Sequence, residues 1–185
     1  QMLRLNAAMR NVEDVPQTVR PFTLRAATGE YVIPALDELK RFKVIVSTCS
    51  TSGYLASRGS LPGWFTHVFI DEAAQALEPE ALIPASVLEP GGLLVLAGDH
   101  HQLGPIVRSP AAVKYGLDVS LMERVVQRLT PEHSRVFTLR TTYRAHPSIL
   151  KLYNETVYAG TLLCASPPRS YDMLSWPGCS VDSEG

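Results

Sequence analysis

Short apolar runs alternate with amphipathic stretches along the first hundred residues. Three runs rich in β-branched and other apolar residues, each followed by small polar residues, predict buried strands at residues 43–47, 67–70 and 93–97. Two intervening segments, residues 34–42 and 77–88, have helical character, and Pro84 should kink or divide the second. Strands that alternate with helices predict an α/β fold, with a parallel sheet covered by helices on both faces.

A helix and a fourth strand are predicted further along the chain. The helix runs from Ser120, its N-cap, to Leu129. The strand, over residues 135–139, leads into another helix that begins near His146. Beyond Cys164, turn-forming residues predict irregular structure.

The connection between these two halves predicts a domain boundary. It contains the turn-forming pairs Gly104-Pro105 and Ser109-Pro110 and carries no apolar periodicity. We therefore divide the chain into residues 1–118 and 119–185.

Charge and cysteine content exclude several classes of protein. The 17 basic and 18 acidic residues give a net charge of −1, so any contact with nucleic acid must be local. Cys49, Cys164 and Cys179 suit neither a disulfide framework nor a paired zinc motif, which favours a reducing compartment. Without a bilayer-length apolar run or a signal peptide, we expect a cytoplasmic protein that does not contact membranes. Because the chain begins on Gln1, we also expect it to be a fragment.

Two carboxylates, Asp71 and Glu72, directly follow the second predicted strand. Open α/β sheets bind ligands at the carboxyl ends of their strands, where phosphoryl-transfer enzymes place a metal-binding Asp. Asp71 is therefore a candidate ligand of Mg²⁺, and Glu72 a candidate base for the attacking water. The dipeptide alone is equally consistent with a cap of the next helix.

The next predicted strand also ends in polar residues, Gly98, Asp99 and Gln102. Gly98 permits a tight exit from the strand, and Asp99 accepts hydrogen bonds from hydroxyls or water. The Gln102 amide can donate to a terminal phosphate while accepting from water. Asp99 and Gln102 are therefore candidates for nucleotide binding, although an ordinary strand-to-helix loop would have a similar sequence.

Two more positions carry candidate chemistry. Arg144, after Tyr143, offers a guanidinium suited to a γ-phosphate and resembles an arginine finger, while a surface ion pair is the alternative. Ser47, Thr48 and Cys49 can bind a sugar-phosphate backbone without reading sequence, while a helix N-cap with spare hydroxyls is the alternative.

Taken in order, five segments resemble the successive motifs of superfamily 1 helicases of the nonsense-mediated-decay type: STCST, FIDEAAQALEPEALIP, LAGDHHQLGPIVRS, YGLDVSLMERV and TTYRAHPSIL. Within that group, RLNAAMR, FTHVFIDEA and GPIVRSPAAVKYGLDVSLMERV most resemble the Armitage-type RNA helicases of silencing pathways.

The resemblance implies two RecA-like domains of the P-loop NTPase fold. Residues 1–118 would be the C-terminal part of the first domain, and residues 119–185 an inter-domain helix and the beginning of the second. ATP and Mg²⁺ would bind between the domains, and single-stranded RNA would bind across their top. The helicase would move along this RNA in the 5′-to-3′ direction. The resemblance also implies a monomer that is found in the cytoplasm or in RNA granules. Its partners would be silencing or RNA-decay proteins.

The same resemblance implies a role for each matching residue. Asp71 would hold the metal, Glu72 would activate water and Gln102 would contact the γ-phosphate. Arg144 would act from the second domain, and Gln75 would assist around the phosphates. Ser47, Thr48 and Cys49 would lie on the side of the domain that binds RNA.

The chain departs from the family pattern because it contains no GxxxxGK[ST] phosphate loop. We therefore expect that it does not hydrolyse ATP by itself. Two alternatives stay open: a degenerate module that binds RNA or a protein partner without catalysis, and a DNA helicase of the same superfamily.

Overall fold

The computed structural model describes residues 1–7, 9–57, 63–129 and 133–165 of the chain. Within these ranges the strands β1 to β6 span Met2–Arg4, Val44–Val46, Phe65–Ile70, Leu88–Leu96, Thr141–Thr142 and Leu163–Cys164. The helices α1 to α6 span Leu36–Leu39, Cys49–Ser57, Glu78–Ala85, Pro110–Lys114, Leu121–Val126 and Pro147–Thr156. A 3-10 helix covers Arg20–Phe22. No helix of the described ranges is long and apolar enough to cross a membrane.

All strand pairs in the described chain are parallel, which confirms the predicted α/β class. β1 pairs with β2, β3 with β4, and β5 with β6. In the β3–β4 pair, His67 lies opposite Leu93 and Ile70 lies opposite Leu96. Both strands therefore end at the same edge, where the predicted polar residues follow.

The predicted coverage of the sheet on both faces is wrong for the described residues. Val68 and Ile70 of β3 are buried, whereas Phe69 is 71% exposed on the opposite face, and Leu93, which pairs with His67, is 53% exposed. Alternate residues of a strand point to opposite faces, so this pattern shows one packed face and one open face. The continuous apolar run predicted two packed faces because periodicity does not show which elements are present to cover them.

The core lies on the packed side of these strands and joins them to the helices. Its buried members are apolar side chains from β1, β3 and four of the helices, with their flanking residues: Leu3, Leu5, Leu39, Leu55, Val68, Ile70, Ala73, Ala81, Val87 and Leu121. Burial of one large apolar side chain stabilises a fold by about 1.5–3 kcal/mol, so these contacts provide the main attachment of the helices.

The predicted helices form, but they are shorter than their patterns. Residues 34–42 contribute only the four residues of α1, and residues 77–88 contribute α3. Pro84 does not divide α3; the helix ends at Ala85, one residue later. Proline lacks the N–H that a helix interior requires, so it is tolerated near the end of this short helix.

The predicted fourth strand over residues 135–139 is wrong. Residues 136–140 have no regular structure, and the strand begins later, at Thr141. Its partner β6 has two residues, and Leu163 N–H donates to Arg140 O at 2.7 Å at the point where pairing begins. The apolar residues Phe137 and Leu139 are 86% and 91% exposed. A strand needs a hydrogen-bonding partner as well as a pattern, and no described segment lies beside residues 135–139 to supply one.

The chain divides into two compact units, residues 1–131 and 132–185. Leu121 of α5 belongs to the core cluster and so to the first unit. The domain assignment of residues 1–118 and 119–185 stays a prediction. The irregular structure predicted beyond Cys164 falls almost wholly on residues 166–185, which lie outside the described residues.

Candidate active site

Two backbone hydrogen bonds join the loops that follow β3 and β4. Ala97 N–H donates to Ile70 O at 2.9 Å, and Ala73 N–H donates to Ala97 O at 2.8 Å. The parallel ladder therefore continues past the ends of both strands. The loop with Asp71 and Glu72 is held against the loop that begins at Gly98 by these bonds.

Gly98 makes this close approach possible. Its φ is +155°, and a Cβ placed on it would lie 3.1 Å from Ala73 N, 3.2 Å from Ala74 N and 3.2 Å from Met122 Sδ. Contacts this short are tighter than most Cβ contacts in proteins, so a side chain here would push the neighbouring backbone away by a few tenths of an ångström. The contact between the two loops and the backbone conformation therefore both favour glycine at this position.

The carboxylate pair lies in an exposed turn at the end of β3. Asp71 Oδ1 accepts a hydrogen bond from Glu72 N–H at 3.0 Å, and Gln75 Nε2 donates to Glu72 Oε2 at 3.3 Å. Glu72 has a φ of +52°, in the left-handed region where a residue with a Cβ is strained. A strained residue at a strand end is typical of functional sites.

The alternative role of these carboxylates as a helix cap is wrong. The next helix in the chain, α3, has Leu77 at its N-cap, and in the described structure no side chain caps it. The Asp71 carboxylate accepts from the backbone amide of Glu72, and the Glu72 carboxylate accepts from the Gln75 side chain. Both acids are exposed and lie several residues before the first turn of α3. Their carboxylates are therefore available to a ligand.

The donor set at this edge fits Mg²⁺ bound together with a phosphate. Within the described residues no group of three or more His, Cys, Asp and Glu side chains could enclose a metal ion. Mg²⁺ commonly keeps several waters and takes only one or two protein carboxylates besides the phosphate oxygens of its substrate. Asp71, exposed at the strand end with Glu72 beside it, matches that kind of site.

Asp99 binds the Gln102 side chain. Asp99 Oδ2 accepts from Gln102 Nε2 at 2.8 Å, and Oδ1 accepts from His101 N–H at 3.0 Å. These bonds hold the Gln102 amide in one orientation, with its carbonyl oxygen and second N–H still available for other partners. Asp99 is therefore a positioning residue for Gln102 in this geometry, and its predicted contact with the nucleotide stays a prediction.

An ion pair holds α5 against α3 beside this edge. The Arg124 guanidinium donates from both Nε and Nη2 to the two carboxylate oxygens of Glu78. These bonds lower the pKa of Glu78 and raise that of Arg124. Because α5 also carries Met122, whose sulfur borders Gly98, the pair helps to fix the wall behind the loops.

The residues predicted for the RNA side have mainly local partners. Thr48 Oγ1 accepts from Thr51 N–H at 3.1 Å and donates to Thr51 Oγ1 at 2.9 Å, so the alternative role of Thr48 as a helix cap is confirmed. The half-buried Cys49 packs against the core, and burial together with the negative charge of Glu80 raises the pKa of its thiol. Ser47, also half-buried, keeps its hydroxyl at the rim of a cavity. Contact of these residues with RNA stays a prediction.

That cavity, of about 350 Å³, lies at the carboxyl ends of β1 and β2. Arg4, the last residue of β1, contributes to its wall with Asn6 and Arg10 from the chain that follows, together with Ser47 and Thr48 after β2. Sequence analysis missed the first three. All three lie in RLNAAMR, a segment that carries the family resemblance, but no role was assigned to them there.

Arg144 lies in the second compact unit, in a bend between β5 and α6. Its side chain is exposed, and His146 Nδ1, two residues later, accepts from Ser148 N–H at 3.3 Å as the N-cap of α6. The approach of Arg144 to a nucleotide stays a prediction.

Comparison with known proteins identifies the family. Two family models, each described as an AAA domain, match residues 20–110 and 117–180. The chain is 40% identical over 185 residues to the putative helicase mov-10-B.1 of Danio rerio, covering 94% of this chain and 18% of the relative. It is 38% identical over 192 residues to the RNA helicase Mov10l1 of Homo sapiens, covering 95% of this chain and 15% of the relative.

This chain belongs to the superfamily 1 helicases of the nonsense-mediated-decay type. A third relative, the putative helicase MOV-10 of Gallus gallus, is 38% identical over 179 residues and covers 86% of this chain. Helicases of this family use ATP and Mg²⁺ and bind single-stranded nucleic acid. The chain spans 15–18% of the length of these relatives.

Proposed function

We propose that this helicase chain carries half of an ATPase site within a longer RNA helicase. The observation that supports the proposal most directly is the hydrogen-bonded contact between the two strand-end loops. Ala73 N–H and Ala97 O join the acidic loop to the loop of Gly98, Asp99 and Gln102 at 2.8 Å. A metal-binding acid, a water-activating acid and a phosphate-sensing amide at one edge are the groups that phosphoryl transfer requires.

Each group has a role in the proposed reaction. Asp71 holds Mg²⁺, which neutralises the developing charge on the phosphates when it is bound. Glu72 takes a proton from the attacking water, and Gln75 steadies the Glu72 carboxylate through its 3.3 Å hydrogen bond. Gln102, oriented by Asp99, senses the γ-phosphate.

The rest of the site lies outside the first compact unit. Arg144, which belongs to the second unit, is the arginine finger of the proposed reaction and stabilises the charge that develops on the γ-phosphate. The chain has no GxxxxGK[ST] run, so the phosphate loop comes from elsewhere in the longer protein and this chain alone is inactive. The two halves belong to RecA-like domains in this proposal, the first ending near residue 118.

The proposed substrate is single-stranded RNA, which the helicase translocates along in the 5′-to-3′ direction. The name of the relative Mov10l1, an RNA helicase, supports RNA over DNA. Ser47, Thr48 and Cys49 lie on the RNA side in this proposal. We further propose a cytoplasmic monomer, present in RNA granules, that works with silencing or RNA-decay proteins.

The decisive experiment measures RNA-stimulated ATP hydrolysis by the full-length protein with Glu72→Gln. This change keeps the shape of the side chain and removes the base, so we expect kcat to fall about 100- to 10,000-fold. Binding of ATP and of RNA should be retained. Glu38→Gln, at an exposed carboxylate of α1, is the matched control and should leave kcat unchanged.

Unchanged kcat in Glu72→Gln would overturn the assignment of the base. A wild-type protein that binds RNA without hydrolysing ATP would support the non-catalytic module instead. Stimulation by single-stranded DNA equal to that by matched RNA would support the DNA helicase.

A further inference from the structure

Asn6 is a buried polar residue whose amide has no described partner. Its side chain lies directly after β1 and the residue is 6% exposed. Neither Oδ1 nor Nδ2 has a hydrogen-bond partner among the described residues. Buried amides are nearly always paired in folded proteins, and an unpaired one destabilises the fold. The Asn6 amide is therefore a position at which a bound water or a ligand can complete the pairing.

Asn6 lies in the wall of the 350 Å³ cavity at the carboxyl ends of β1 and β2. Leu5 N–H donates to Val46 O at 2.8 Å, which fixes the two strand ends side by side. The nine-residue helix α2 begins at the same place, directly after its cap Thr48. Strand ends and the start of a helix are where α/β proteins bind anionic groups.

The charged groups of the cavity point to a phosphate. Arg4 and Arg10 both line the cavity, and no acidic residue lines it. The Arg10 guanidinium donates from Nη2 to the backbone oxygen of Asp14 at 3.5 Å. The polar residues that line the cavity are arginine, asparagine, serine and threonine, and the others are apolar. Arginine is well suited to phosphate because its donors form a planar fork.

Asn6 requires something more than a phosphate. A phosphodiester has only acceptor oxygens, so it would satisfy Nδ2 and leave Oδ1 unpaired. A hydroxyl both donates and accepts, so one hydroxyl, or a hydroxyl beside a phosphate, satisfies both amide atoms. The ribose of RNA carries that hydroxyl next to each phosphate, and the sugar of DNA does not.

We propose that this cavity binds one ribose-phosphate unit of single-stranded RNA and that Asn6 reads its 2′-hydroxyl. Arg4 and Arg10 bind the adjacent phosphate. The Asn6 amide atoms lie beneath the surface, so the side chain rotates toward the cavity when the nucleotide enters. This inference rests on the proposed function and adds to it the position at which the chain distinguishes RNA from DNA.

The first test leaves the protein unchanged. The full-length wild-type protein is titrated with a single-stranded RNA and with a series in which one nucleotide at a time is the 2′-deoxy form. We expect one position at which the deoxy nucleotide raises Kd about fivefold to tenfold, the effect of losing one or two buried hydrogen bonds. A series in which no position differs from the parent RNA overturns the proposal.

The second test assigns that effect to Asn6. Asn6→Leu, which keeps the size of the side chain, should raise Kd for RNA about tenfold, leave Kd for DNA of the same sequence unchanged and abolish the deoxy effect. Asn11→Leu, at an exposed asparagine, is the matched control and should retain it. Equal weakening toward RNA and DNA, or a deoxy effect that persists in Asn6→Leu, overturns the role of Asn6.

A second variant covers the case in which Asn6→Leu does not fold. Asn6→Asp keeps the acceptor, loses the donor and adds a negative charge near the phosphate, so RNA should bind more weakly and the deoxy effect should shrink. Arg10→Ala should weaken RNA and DNA alike and lower the salt dependence of log Kd by about one, as expected for one lost phosphate contact. RNA and DNA affinities unchanged in both variants overturn the proposal.

Failure of this inference is distinguishable from failure of the proposed function. RNA-stimulated ATP hydrolysis with no deoxy effect at any position overturns the role of the cavity and leaves the motor intact. A full-length protein that neither binds RNA nor hydrolyses ATP overturns both.

Discussion

The backbone N–H of Ala73 donates a 2.8 Å hydrogen bond to the carbonyl oxygen of Ala97. Through this bond the position of the acidic pair depends on the loop that follows the neighbouring strand. The active-site candidates of the two motifs therefore form one structural unit, in which a shift of either loop moves the groups of the other. Three predictions concern this unit and the contacts that support it, and a fourth concerns the thiol of Cys49.

Gly98→Ala should destabilise the first compact unit. The new Cβ would lie 3.1 Å from Ala73 N at a φ of +155°, so strain and overlap together should lower the free energy of unfolding by about 2–3 kcal/mol. Gly116→Ala is the matched control because Gly116 has a φ of +80° with nothing within 4 Å, and should cost about 1 kcal/mol. Urea unfolding measures both, and equal losses would show that the contact with Ala73 is unimportant.

Ser120→Ala should remove the cap of α5. Ser120 is fully buried and its hydroxyl accepts from Glu123 N–H at 3.1 Å, so the loss should be about 1–2 kcal/mol. Ser109→Ala removes the equivalent 3.3 Å bond at the start of the five-residue helix α4, which has no buried residue, and should cost less than half as much. Thermal or urea unfolding of the two variants distinguishes them, and a larger loss in Ser109→Ala would contradict the importance of α5.

Glu78→Gln should show a pH-dependent loss of stability. Arg124 lowers the pKa of Glu78 in the folded protein, so the pair stabilises the fold above the ordinary carboxyl pKa. That stabilisation is lost as the pH falls through the lowered pKa. The difference in unfolding free energy between the wild type and Glu78→Gln should therefore be constant at neutral pH and shrink in acid.

Asp37→Asn is the control for this pH series. Asp37 pairs with Lys40 at 3.9 Å but its side chain is 98% exposed, and exposed pairs contribute little. Urea unfolding at several pH values should therefore give the same small difference throughout. A Glu78→Gln difference that grows toward acid would contradict the sign assigned to the pair.

Cys49 should react slowly with iodoacetamide at pH 7.5. The thiolate is the reactive form, and burial together with Glu80 raises the pKa of this thiol. Its rate should keep rising with pH beyond the range in which an ordinary thiol is fully ionised. Glu80→Gln should speed the reaction by lowering the pKa, whereas Glu38→Gln should not. Peptide mass spectrometry follows Cys49 separately from the other cysteines, and labelling as fast as a free thiol would contradict the effect of burial.

Strands and caps with strong local signals were predictable. β2, β3 and β4 were predicted because continuous apolar runs mark buried strands, and the cap at Ser120 because serine is favoured at the start of a helix. The helix α2 was not predicted. Its sequence, CSTSGYLAS, contains a glycine and several hydroxyl residues that favour turns over helix, and the core contacts of Leu55 outweigh that preference.

The candidate site was predictable only in part for a similar reason. A strand followed by acids places Asp71 and Glu72 at the edge of a sheet, which is a local inference. The bond from Gln102 to Asp99 depends on the turn that the loop adopts, and the cavity beside Asn6 depends on the alignment of β1 with β2, some forty residues further along the chain. Neither the hydrogen bond nor the strand alignment produces a periodic pattern or a motif in the sequence, so neither could be predicted from it.

The left-handed backbone of Glu72 has an evolutionary consequence. A non-glycine residue there costs about 1–2 kcal/mol, so glycine at this position would make the fold more stable and remove the carboxylate. Selection of variants for heat resistance alone would therefore favour loss of the acid, whereas under the proposed role of Glu72 as the base, selection for turnover would retain it. The strained backbone of Glu72 thus creates a trade-off between thermal stability and the proposed activity at a single residue.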